Sequence, residues 1–205
     1  MIHLFLDACA LVRRYFTDVG SRSIDQLLAL QDAAYVTDIL AIPEAAGALR
    51  GTLGDTRFPE FRQPEFDAAF GLLINHWRTQ YEVLQIDEFA ANDAMSLIYR
   101  HNLRGGDALH LALALRYNAT VRSVSGEDAV VLVTSDPQFV SAAAAEGLKV
   151  FHFWRCQCPR CGLEFVPRKN AKTPQTHPGC DFSCRCGKDQ CTSVYQITEE
   201  KLMSV

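Results

Sequence analysis

The stretch Leu4-Phe5-Leu6-Asp7-Ala8-Cys9-Ala10 decides how the rest of the chain is read. Ile2 to Leu6 is a short run rich in large apolar residues, bounded by an acid and small residues. A run of that length, apolar on both faces, suits a strand buried on both sides of a parallel sheet. Asp7 then stands at the strand's carboxyl end, the edge where open α/β sheets bind ligands.

Working outward, Leu11 to Phe16 reads as a first helix, and Ser21 or Ser23 could cap a second. Ala34 to Leu40 reads as a second strand. Pro43 suits the first turn of the following helix and places Glu44 in that turn. Residues 54–64 form a loop, Pro64 to Thr79 a helix, Tyr81 to Ile86 a third strand, and Glu88 to His101 a further helix. Asp107 stands at or near the cap of a strongly apolar helix, Ala108 to Tyr117. The segment Asn118 to Asp128 is ambiguous, because Thr120-Val121-Arg122 could extend a strand while Ser125-Gly126-Glu127-Asp128 looks like a loop. Ala129 to Thr134 is a buried strand. Asp136-Pro137 opens a helix that stops at Gly147, and Leu148 to Phe153 is the last strand. Strand and helix patterns alternate throughout, which implies a doubly wound α/β sandwich.

Charge and cysteine content divide the chain near residue 154. Residues 1–154 hold 12 Lys+Arg and 19 Asp+Glu, a net of −7; residues 155–205 hold 8 and 5, a net of +3. Seven of the eight cysteines lie between Cys156 and Cys191. Seven cannot all pair internally, and no basic, apolar and cleavage-site pattern opens the sequence. Reduced thiols that bind metal and a cytoplasmic location are therefore the expectation. No apolar run approaches the roughly 20 residues that span a bilayer, so no membrane role is expected.

Strand carboxyl ends and the helix N-termini that follow them share one rim. That places Asp7, Glu44, Asp107 and Asp136 together. A capping Asp, or a Glu in a first turn, stabilises a helix by about 0.3–2 kcal/mol with no further role. That reading serves Glu44, Asp107 and Asp136 taken one at a time. Asp7 differs in ending a strand. Four converging carboxylates repel unless a divalent cation sits among them or some stay protonated. Oxygen-only ligands suit Mg²⁺ or Mn²⁺, which would leave an activated water beside a phosphate position.

Leu4 to Val12 resembles the first motif of PIN-domain ribonucleases, especially the VapC-like group. Ile42-Pro43-Glu44-Ala45 matches the second acidic motif. Leu103-Arg104-Gly105-Gly106-Asp107-Ala108-Leu109-His110-Leu111-Ala112 is similar to the third, and Val133-Thr134-Ser135-Asp136 to the fourth. The resemblance covers residues 1–153. It implies a three-layer α/β/α fold with a parallel sheet, and a Mg²⁺- or Mn²⁺-dependent endoribonuclease with these four acids as catalytic, metal-holding residues. Cys9 stands where the family often has Ser or Thr, so a hydroxyl supporting the first acid is missing and a weak S–H donor replaces it. The segment Asn118 to Asp128 is longer than a typical VapC connection. His110, three residues after Asp107 on the same helix, could face the site but reads better as a structural histidine; Arg104 could touch phosphate but reads better as an exposed surface residue; Asp38 and Asp87 read as turn or cap residues.

Residues 154–205 read as a second, Cys-rich unit. Cys158-Pro159-Arg160-Cys161-Gly162 has the spacing that lets two thiolates reach one Zn²⁺ around a tight turn. Cys184 and Cys186 form the favoured second pair; Cys156, Cys180, Cys191 and His177 are alternates. The layout resembles a zinc ribbon. Arg160, Arg168, Lys169, Lys172, Arg185 and Lys188 could hold a phosphate backbone. On this reading, removing residues 155–205 weakens RNA binding and leaves hydrolysis intact.

RNA is the expected substrate. One setting is a VapC-like toxin with an antitoxin protein as partner, and a homodimer is left open. Ribosome-maturation endonucleases also join a PIN domain to a zinc ribbon, so RNA processing is a second setting. A nucleic-acid- or protein-binding module without turnover is the non-enzymatic alternative.

Overall fold

The structure, a computed structural model, describes residues 1–16, 20–126 and 130–153. Beyond these it describes the backbone of 156–157, 164–165, 175–177 and 180–184, together with Ile197 and Leu202. Five parallel strands form one sheet: β1 (Ile2–Leu6), β2 (Ala33–Asp38), β3 (Glu82–Leu84), β4 (Val130–Thr134) and β5 (Lys149–His152), in the order β3-β2-β1-β4-β5. The helices are α1 (Ala8–Val12), α2 (Ser21–Leu28), α3 (Ala41–Thr52), α4 (Gln63–Thr79), α5 (Glu88–His101), α6 (Gly105–Ser125) and α7 (Pro137–Ala145). The α/β architecture with a parallel sheet is the one expected from the alternation of patterns.

Period-two alternation explains the three layers. Leu4, Leu6, Val131 and Val133 enter one buried cluster with Leu11, Ile24, Ile42, Leu49 and Leu73. Phe5, Val130 and Leu132, the residues between them, enter the other with Ala90, Leu97, Leu111 and Phe139. β1 and β4 are thus apolar on both faces because both faces are covered. The chain winds one way from β1 through β2 to β3, and the other way through β4 to β5. The switch lies between β1 and β4, and the crevice outside their carboxyl ends is where such sheets take ligands.

Several expectations need correction: the N-cap of α2 is Gly20, not Ser21 or Ser23. The first helix is Ala8–Val12, with turns rather than helix up to Phe16. Asp7 does cap it: its carboxylate accepts the Ala10 N–H at 2.9 Å. The helix carrying Asp107 begins at Gly105 rather than Ala108, which puts Asp107 in its first turn, near the cap as expected. That helix runs on to Ser125, so Thr120-Val121-Arg122 is helical and not strand. It ends where Gly126 takes a left-handed conformation (φ 77°) that an L side chain rarely adopts.

In the Cys-rich part, Cys156–Gln157 pairs antiparallel with Glu164–Phe165, and Gln175–His177 with Cys180–Cys184. Cys158, Cys161, Cys186 and Cys191 lie outside the described residues. Of Cys156, Cys180, Cys184 and His177 the backbone alone is described. The chain then returns to the body. Leu202 is fully buried in the same cluster as Ile24 and Leu27, and the Ile197 N–H donates to Gln26 Oε1 at 3.0 Å. Among the described residues, no helix is long and apolar enough to cross a membrane.

Candidate active site

Each acid is delivered to the rim by a different element. Asp7 follows β1 and is 5% exposed. Besides Ala10, it accepts the Thr134 hydroxyl on Oδ2 at 2.5 Å. Thr134 ends β4, so the hydroxyl that Cys9 does not offer comes from the neighbouring strand. Burial pushes the Asp7 carboxyl above its ordinary pKa, while hydrogen bonds from Cys9, Thr134 and Ala10 and the charge of His110 pull it back only partly. Burial also raises the Cys9 thiol, so Cys9 is a neutral S–H beside Asp7, with Ser135 Oγ at 3.3 Å. Asp7 is therefore a desolvated carboxylate short of positive charge.

Glu44 lies in the first turn of α3 with its side chain 42% exposed. Its Oε2 meets His110 Nε2 at 3.0 Å, while His110 Nδ1 meets Asp38 Oδ2 at 2.6 Å. Asp38 also accepts the N–H groups of Leu40 and Ala41, at 2.9 and 3.0 Å, so it is the turn residue expected of it. Asp87, likewise, caps α5 by accepting the Ala90 N–H at 2.7 Å. His110 itself is 2% exposed. Burial works against its imidazolium, but the hydrogen bonds to Asp38 and Glu44 and their charges outweigh it, and its pKa rises to about 10. Carboxylates only accept, so both ring nitrogens donate.

Asp107 and Asp136 are joined by Arg104. Its Nε donates to Asp107 Oδ2 at 3.0 Å, and its Nη2 lies 3.6 Å from Asp136 Oδ2. Asp136 also caps α7, its Oδ1 accepting the N–H groups of Gln138 and Phe139 at 2.8 and 3.1 Å. The hydrogen bond to Asp107 raises the Arg104 pKa most, followed by the charges of Asp107 and Asp136 and, least, Glu44. Arg104 is exposed as expected, but the acids occupy it.

A divalent cation suits these residues in kind. The donors are all carboxylates, Asp7 is buried with only the nearby charge of His110 to offset its own, and Arg104 bridges Asp107 and Asp136. As placed, no three His, Cys, Asp or Glu side chains among the described residues are gathered closely enough to coordinate one ion. Binding would require Asp107 and Asp136 to exchange Arg104 for the cation.

The sequence singles out neither Thr134 nor Gly106, and it offers Asp38 and His110 only separately, without the hydrogen bond that joins them. A methyl group on Gly106 would stand 3.0 Å from Glu44 Oε1, whereas one on Gly105 would have nothing within 4 Å. Gly106→Ala is therefore expected to raise the Tm slightly, by helix propensity worth up to about 1 kcal/mol, and, if the rim acids hold Mn²⁺, to weaken that binding several-fold. Gly105→Ala should leave Mn²⁺ binding unchanged. Calorimetric titration with Mn²⁺ checks both, and equal affinities would show that Glu44 is not crowded.

The profile of the PIN domain family matches residues 4–145. No curated protein matches the chain. Among solved structures, FitAcB from Neisseria gonorrhoeae is similar with 15% identity and a TM-score of 0.47, over 74% of this chain and 98% of that one. VapBC2 from Rickettsia felis, bound to a DNA fragment from its promoter, is similar with 11% identity and a TM-score of 0.47, over 73% and 98%. VapC20 of Mycobacterium tuberculosis, a sarcin-ricin loop cleaving toxin, is similar with 14% identity and a TM-score of 0.45, over 56% and 82%.

Proposed function

This chain belongs to the PIN domain family, and on that premise we propose that it is a metal-dependent endoribonuclease. PIN domains are generally metal-dependent nucleases. The carrying observation is the rim itself: Asp7, Glu44, Asp107 and Asp136 stand at the carboxyl edge of the sheet, Asp107 and Asp136 paired with Arg104, Glu44 with His110, and Asp7 buried with no salt-bridge partner among the described residues.

Asp7, Glu44, Asp107 and Asp136 would hold Mg²⁺ or Mn²⁺. The bound cation would polarise a phosphodiester and acidify a water. Asp7, fixed by Ala10 and Thr134, is the immobile member of the set. Arg104, exposed and held only by surface ion pairs, is free to exchange its carboxylates for a phosphate oxygen and to oppose the charge that develops there. Incubation of total RNA with the protein and Mg²⁺, Mn²⁺ or EDTA tests the reading. Internal cleavage with either metal and none with EDTA is expected; cleavage unaffected by EDTA, or no cleavage with any metal, would refute it.

The VapC-like form of the acidic motifs supports a toxin paired with an antitoxin protein, with a homodimer as the assembly proposed alongside it. The Cys-rich end favours a second setting, RNA processing by a PIN domain joined to a zinc ribbon. The Cys158/Cys161 pair falls in the connection between Cys156–Gln157 and Glu164–Phe165, which form an antiparallel pair, and Cys184 ends the second pair of strands, with Cys186 following. Cys158, Cys161, Cys184 and Cys186 would hold one Zn²⁺, and the basic residues around them would grip RNA. Elemental analysis of reduced, purified protein is expected to find zinc, and zinc-free protein with free thiols would remove this part of the reading.

A further inference from the structure

Glu44 is the rim acid most in need of outside support. It is a long side chain, 42% exposed, on a helix separate from the one that carries Asp107. Yet it is enclosed from two directions by α6. His110 Nε2 donates to Oε2 at 3.0 Å, and the missing side chain of Gly106 leaves room for Oε1. His110 is itself fixed. It is buried, its ring lies against Phe139 with centroids 6.4 Å apart, and Asp38 takes its Nδ1–H at 2.6 Å. Asp38 in turn is pinned by two backbone N–H groups at the end of β2. Positions 107 and 110 are three apart on α6 and share a face, so the helix that presents Asp107 also sets the direction of Glu44.

We infer that His110, oriented by Asp38, is the positioning residue that holds the Glu44 carboxylate in its metal-binding pose. This rests on the reading of the four acids as metal ligands. The geometry distinguishes the two ring nitrogens. The Nε2 side serves the acid that would meet the metal, and the Nδ1 side serves a structural acid inside the protein. A histidine kept only for packing would have no such polarity.

The side-chain amides of Gln and Asn separate these roles. In His110→Gln the amide nitrogen reaches about where Nε2 stood, so donation to Glu44 survives and donation to Asp38 is lost. In His110→Asn the shorter side chain retains donation toward Asp38 and loses Glu44. Mn²⁺ affinity of the full chain, read from the electron paramagnetic resonance signal of free Mn²⁺, is measured together with the Tm. His110→Asn should weaken Mn²⁺ binding by about tenfold or more, within the 10–100-fold effect typical of residues that orient metal ligands. His110→Gln should stay within about threefold of the parent, even if both variants lose Tm alike. In cleavage assays the loss in His110→Asn should appear mainly as a higher Mn²⁺ requirement. Equal Mn²⁺ affinity in the two variants would overturn the inference while leaving the nuclease reading in place. A parent protein that binds no Mn²⁺ would overturn both.

Discussion

Asp7→Asn is expected to cut metal-dependent RNA cleavage by more than about a hundredfold and to leave the protein folded and no less stable. Residues that merely orient metal ligands change affinity or activity by about 10–100-fold, so loss of a ligand's charge should exceed that range. The stability side follows from the site. Asparagine keeps the shape, its oxygen can still accept the Ala10 N–H, and the Thr134 hydroxyl can turn to accept from the new amide. Burial raises the Asp7 pKa in the folded protein, so charged Asp7 costs stability increasingly as pH rises above the ordinary carboxyl range. At neutral pH the neutral amide removes that cost. Asp107→Asn should lose activity comparably, with little change in Tm, because it gives up a surface pairing with Arg104. Cleavage rates at saturating Mn²⁺ and thermal melts together check the pair. Full activity in both variants would end the assignment, and activity lost only in proportion to lost folded protein would show that Asp7 is structural.

Leu202→Ala is expected to destabilise the body by about 2–5 kcal/mol, the usual cost of emptying a buried leucine site. Leu202 is fully buried among residues of β1, α2 and α3, although nearly fifty residues separate it from the last strand of the sheet. The sequence alone suggested that residues 155–205 could be removed without harm to hydrolysis, since all four acids remain. The return of Ile197 and Leu202 corrects this: removal also strips Gln26 of its backbone partner and uncovers the α2 side of the core. A chain ending at residue 153 should therefore unfold at lower denaturant concentration than the full chain. Its RNA affinity measures grip only where it is shown to be folded. Urea unfolding of the full chain, Leu202→Ala and the shortened chain tests this, and equal midpoints would place Leu202 outside the core.

The expectations that held rest on strong local patterns. The apolar runs of β1 and β4 have few alternatives to a strand buried on both faces, and the alternation of elements forces their carboxyl ends onto one edge. The Asp136-Pro137 helix start is visible because a capping side chain and a residue with fixed φ stand side by side. Where local and tertiary preferences compete, the sequence is ambiguous. Thr120 and Val121 carry β-branched side chains that disfavour a helix weakly, but Val121 packs against the second core cluster and the helix runs on to Gly126. The His110 bridge is harder still to foresee. Asp38 and His110 lie 72 positions apart, and each has an ordinary local explanation. The available signal was a histidine on an otherwise apolar helix face and an unmatched acid at a strand end. Leu202 gave less, because Leu202-Met203 follows the charged run Glu199-Glu200-Lys201 and shows no clear helix or strand periodicity.

The central claim is that the four acids hold one divalent cation. Anomalous scattering from crystals soaked in Mn²⁺ tests it most directly. A peak is expected in contact with Asp7, Glu44, Asp107 and Asp136, with Arg104 moved off Asp107 and Asp136. Crystals that show manganese elsewhere but none at this rim would contradict it.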